Sequence, residues 1–136
     1  MHRLRRLAGT LMLASTVTHL SEPFLFAWSF PMLVAQLFGV SFLCIGVALL
    51  RGSERALLWG AVLPLSAAFL GTASSILQGT MHPLTRWHVF VDLVVGASCI
   101  YLMRRSRAAE DGTADRGRLR APLEAHASSW NPWPVR

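Results

Sequence analysis

The sequence predicts an all-α integral membrane protein: an antiparallel four-helix bundle of up-down-up-down topology. Three observations carry that expectation. The chain of 136 residues is 53% hydrophobic with a mean hydropathy of +0.43, apolar for a domain of this size. Its charged residues, 15% of the total, are segregated: between positions 7 and 103 they are only Glu22, Arg51, Glu54, Arg55, Arg86 and Asp92. Four apolar runs approach the length of about 20 residues that a spanning helix needs, and short connections join them.

The first run covers about 7–28, the second 31–50, the third 56–78 and the fourth 87–103, the shortest. The links "SF", "RGSER" and "GTMHPLTR" suit helices that reverse direction at each turn. A helix satisfies its own backbone hydrogen bonds in lipid, so apolar runs of this length are expected to be helical. Residues 104–136 mix Arg, Asp, Glu, Gly, Ala and Pro and are expected to form a disordered cytoplasmic tail. Its end, "SSWNPWPVR", offers two tryptophans for contact with the interface or a partner.

Arginine placement sets the expected orientation. "MHRLRR" holds three arginines, "RGSER" two and "RRSR" three, whereas the first link has none and the third only Arg86. With both termini inside, the three basic segments fall on the cytoplasmic face of a bacterial inner membrane. Trp28 and Trp87 then mark the outer interface, and Trp59 and Tyr101 the inner one. The start "RLRR" followed by "LAGTLMLASTV" also has the build of a signal peptide, but no small-x-small cleavage site follows and the apolar run resumes through "FLFAW", so the first helix is expected to stay attached.

Helix seams are expected at small-residue stripes, because lipid tails are as apolar as leucine and close approach drives association instead. The candidates are Thr10–Ala14–Thr18–Glu22, Ala35–Gly39, Ala67–Gly71–Ser75 and the "GAS" at 96–98. Pro64 is expected to kink the third helix. Cys44 and Cys99 match no metal or redox pattern and read as small buried hydrophobes. "ASTVTH" at 14–19 aligns with "ASSILQ" at 73–78, His19 over Gln78, and both following helices carry "CI", which raises hairpin duplication beside chance similarity.

The ionisable groups are the functional lead. A charge at the centre of a span costs about 2.5–3.5 kcal/mol. The strongly apolar residues of the first helix return roughly 2–5 kcal/mol at about 0.3–0.6 each, leaving little to spare for Glu22. His19 and Glu22, three apart, share a helical face, as do His88 and Asp92, four apart. The expected topology puts all four in the outer half of the membrane, with His82 and Gln78 near them. The candidate polar site is therefore His19, Glu22, His88 and Asp92, with His82 and Gln78 as further members.

Four readings of that cluster stand side by side: a hydrogen-bonded network joining the first and last helices, a proton or ion relay, a metal site with His19, Glu22, His88 and Asp92 as candidate ligands, and a pocket for a quinone, haem edge or lipid-like substrate. The site names no particular cofactor. No Gly-rich phosphate loop, G-x-S-x-G or H-E-x-x-H is present, so the reading leans away from catalysis. The net charge of +6 flanks spans and leaves no soluble basic domain, which argues against nucleic acid as a partner. The expected partners are the lipid bilayer and either another membrane protein or a second copy of the chain. The function expected is an accessory subunit or small solute- or proton-handling transporter, with a metal- or cofactor-binding redox component as the alternative.

Overall fold

The computed structural model describes the backbone of residues 2–25, 29–79 and 82–129, and side chains within 2–24, 29–30, 32–79, 82–109 and 112. It is all-helical over these residues: α1 (His2–Leu25), α2 (Phe30–Leu50), α3 (Arg55–Gln78) and α4 (Pro83–Ser129). Met1–Met103 forms one compact unit and Arg104–Arg136 a second. The second, expected to be disordered, has a helical backbone through Ser129. Its Ala, Arg, Leu and Glu content favours helix locally, a pull that a reading by net polarity overlooks. Trp28, Trp130 and Trp133 lie outside the described residues.

The helix ends follow local chemistry. Ser29 caps α2 in an extended conformation (φ −148°, ψ 161°) with Pro31 in the first turn, where a missing N–H costs nothing. Gly52, at φ +85°, ends α2. Its N–H bonds Leu49 O at 3.0 Å and that of Ser53 bonds Ala48 O at 3.0 Å, the paired bonds of a Schellman turn. Gly79, at φ +68°, ends α3 in the same left-handed region. At the start of α4, Pro83 opens the first turn and His82 Nδ1 accepts the Leu84 N–H at 3.2 Å.

Three segments are long and apolar enough to cross a membrane: Met32–Leu50, Arg55–Gln78 and Pro83–Ala109. α1 has the length but not the hydropathy, so the expectation of four self-evident spans holds for three. Seven side chains account for the difference: Thr10, Ser15, Thr16, Thr18, His19, Ser21 and Glu22. α1 turns several of them inward, for Ser15, Thr16 and His19 are all buried. The outward faces carry Val17, Phe24, Leu37, Phe69, Ile76 and Phe90, all well exposed. Water-soluble monomers rarely show apolar surface on this scale.

Glycines set the closest helix approaches. A Cβ on Gly9 would stand 3.1 Å from the Gly46 carbonyl oxygen, and one on Gly46 3.2 Å from the Gly9 oxygen, so α1 and α2 meet backbone to backbone there. Further along, Gly39 faces His19 and Leu20. The α1–α2 pairings therefore run in opposite order along the two chains. Gly60 of α3 receives Cys99 of α4, and Gly96 of α4 receives Leu65 of α3. These contacts surround a dry core of Met12, Phe42, Leu49, Leu57, Val95 and Cys99, toward the end of the unit that holds the α2–α3 turn. Arg5 ties the start of α1 to that turn, donating to Gly52 O at 2.8 Å and pairing with Glu54.

One seam expectation is corrected. Thr10 and Ala14 are exposed, and the buried face of α1 runs through Ala8, Met12, Ser15 and His19 instead. Ala67, Gly71 and Ser75 line a cavity, while Ala67 also packs on the core and Gly71 lies beside Thr85 and Val89 of α4. A small-residue stripe marks where a helix lacks bulk, and that suits a void as well as a neighbour. Pro64 is buried within α3. Cys99 is buried as expected, but Cys44 is exposed on α2.

Candidate functional site

The cavity, about 560 Å³, adjoins the core, with Phe38 and Ala67 bordering both, and takes lining residues from all four helices. One wall is polar, with His19 and Glu22 from α1 and His88 and Asp92 from α4. Phe30, Val34 and Phe38 of α2 form an apolar wall, and Gly71, Ser74 and Ser75 of α3 a small-residue one. Gln78 and His82 stand at its rim, both exposed. The six candidate residues thus border one space.

His19 is held from every side. Pro23 sits four residues on in α1 and has no N–H to give the His19 carbonyl. Gln36 of α2 supplies the missing donor, its Nε2 bonding His19 O. The Cβ of His19 packs on Gly39, where an added methyl would lie 3.0 Å away. Its ring meets Phe42 edge-on at 5.6 Å and stacks on the His88 ring, centroids 4.0 Å apart and planes 29° off parallel.

The partners place the hydrogen on one of the two rings. His19 Nδ1 lies 3.0 Å from the Ser15 carbonyl oxygen, which only accepts, so Nδ1 carries hydrogen and donates. In the neutral ring the lone pair is then on Nε2. Thr18 Oγ1 lies 2.8 Å from the same Ser15 oxygen and 2.7 Å from His88 Nε2, so it bridges the two. His88 Nδ1 faces Glu22 Oε1 at 3.6 Å. One ligand-type atom each from His19, Glu22 and His88 lies within 4.8 Å of the other two. Two imidazoles and a carboxylate converging in this way form an arrangement that attracts a proton or a cation.

Asp92 is not part of that group of three. It lies one turn along α4 from His88, 2% exposed, and makes no hydrogen bond or ion pair among the described residues. Ser15, one turn along α1 from His19, has a buried hydroxyl that also lacks a partner among the described residues. His82 doubles as the cap of α4, and Gln78 donates to Ser74 Oγ at 3.0 Å. The side chains that sequence reasoning missed are Thr18 and Gln36, together with the carbonyl of Ser15. Pro23 was the available signal, because a proline inside a helix frees a carbonyl four residues back and implies a donor elsewhere.

No protein-family model, curated protein or solved structure matches the chain.

Proposed function

We propose that this chain is a small polytopic membrane protein that binds a polar or cationic solute, protons included, in a cavity open toward the outer face. In this reading α1 to α4 form an antiparallel up-down-up-down bundle in a bacterial inner membrane, with both termini cytoplasmic. The protein serves as an accessory subunit or as the solute-handling part of a larger assembly or homo-oligomer. α1 crosses with the other three helices, its polar groups turned away from lipid.

The observation that carries this reading is the placement of the polar groups. His19, Glu22, His88 and Asp92 all border one cavity, while the adjoining core of Met12, Phe42, Leu49, Leu57 and Val95 is packed with apolar side chains. A through-pore is disfavoured on the same ground, since Met12, Phe42 and Val95 are fully packed. The arrangement suits a one-ended binding site. A redox component is the second reading, favoured by the two imidazoles and the carboxylate of the three-residue group.

The test is accessibility from the outer side. In a Cys44→Ser, Cys99→Ala background, Ser74→Cys places a thiol on the cavity wall. A small membrane-impermeant thiol reagent added outside intact cells should label it. Absence of labelling from outside, with labelling in inverted vesicles, would overturn the orientation and the site's opening together.

A further inference from the structure

We propose that His19, Glu22 and His88 bind a divalent first-row transition cation, with Zn²⁺ the best match, and that Asp92 completes its charge balance. The proposal names the ligand of the cavity described above and rests on reading that cavity as a binding site.

Three features of the site converge on a cation. The donor set, two imidazole nitrogens and a carboxylate, is the borderline mixture that suits zinc and its neighbours and does not suit Mg²⁺ or Ca²⁺. The imidazoles are prepared for it: His19 Nδ1–H is anchored on Ser15 O, and His88 Nε2 is bonded to Thr18 Oγ1 with its Nδ1 turned toward Glu22. Outer hydrogen bonds of this kind orient metal-binding histidines and fix their tautomers. Charge gives the third. A dication balances two carboxylates, and Asp92 is a buried carboxyl on the same cavity with no partner of its own among the described residues. Zinc holds nitrogen ligands at about 2.0–2.1 Å, which puts ligand atoms roughly 3.3 Å apart in a tetrahedron. The separations of up to 4.8 Å therefore close by up to roughly 1.5 Å on binding, a movement that Glu22, near the end of α1, can make. Three protein ligands leave a fourth position toward the cavity for water or a solute group.

The experiment uses full-length, untagged protein in detergent, stripped with chelator, and titrated with Zn²⁺ by calorimetry and with Co²⁺ by visible absorption. One equivalent should bind, with the intense ligand-field bands of four-coordinate Co²⁺. His19→Ala, His88→Ala and Glu22→Gln should each abolish those bands. Thr18→Val, which removes the hydroxyl bonded to His88 Nε2, should weaken binding about 10–100-fold without loss of fold. His2→Ala, an exposed histidine outside the cavity, should leave it unchanged. Binding that survives His19→Ala and His88→Ala, or that falls equally in His2→Ala, would overturn the proposal. So would absence of stoichiometric binding to folded wild-type protein. If Ser74→Cys is labelled from outside yet no metal binds, the cavity reading stands and the metal assignment fails; if the thiol is not labelled, the cavity reading itself fails. Because Thr18→Val replaces no proposed ligand, it reports even if an alanine variant misfolds.

Discussion

Much of the site's definition comes down to Pro23 and Gln36. A proline inside α1 would leave the His19 carbonyl orphaned next to the cavity, and a buried unpaired acceptor costs about 1–3 kcal/mol. Gln36 removes that cost and fixes the turn that carries His19. Gln36→Leu should therefore destabilise the protein by about that amount in a detergent-unfolding titration. In a Pro23→Ala background, which restores an N–H at position 23, the same change should cost much less. Additive effects in this double-mutant cycle would show that the two residues do not share the carbonyl. Gly39→Ala probes the opposite side of the histidine. Its methyl would meet His19 Cβ at 3.0 Å, so metal or solute binding should weaken even though no ligand is altered. Unchanged affinity would mean that His19 has room to move.

Among the helices, contacts between small residues and backbone set the spacing. At the crossing of α1 and α2 the neighbours of each missing Cβ include a carbonyl oxygen beside a leucine side chain, and the carbonyl yields less readily than a side-chain tip. Gly46→Ala should lower stability by about 1–3 kcal/mol, the usual range for overpacking. Arg5→Ala should cost no more than about 1 kcal/mol, because its partner Glu54 is largely solvent-exposed. Thermal unfolding of both variants in one detergent tests the order, and a larger loss for Arg5→Ala would contradict it. Helix positions were legible in sequence: the expected spans 31–50 and 56–78 differ from α2 and α3 by one residue at one end. Seams were less legible. A stripe such as Ala67–Gly71–Ser75 has the same pattern whether it faces a helix or a void, and only the placement of the other helices decides. The bonds around Ser15 O were not legible at all, because a backbone acceptor leaves no mark on residue type.

For the molecule as a whole, large apolar side chains are exposed on α2, α3 and the first part of α4, and α1 buries Ser15, Thr16 and His19. Cys44 and Cys99 turn this into a measurement. Cys44 is exposed on α2, and Cys99 is packed against Gly60. In a bilayer a water-soluble thiol reagent should label neither, since the reactive thiolate needs water or a positive charge nearby. Ready labelling of Cys44 in membranes would mean that this face of α2 is wet and would remove α2 from the set of spans. Both thiols should react once the protein is unfolded in strong detergent.

The Ser15 carbonyl has an evolutionary consequence. The oxygen that anchors His19 directly, and His88 through Thr18, belongs to the main chain, so no substitution at position 15 deletes it as an acceptor. Any side chain that fits the buried position 15 keeps that acceptor, whereas a change at 18, 19 or 88 removes a bonded group outright. The most connected atom of the site is thus the one that side-chain substitution does not reach.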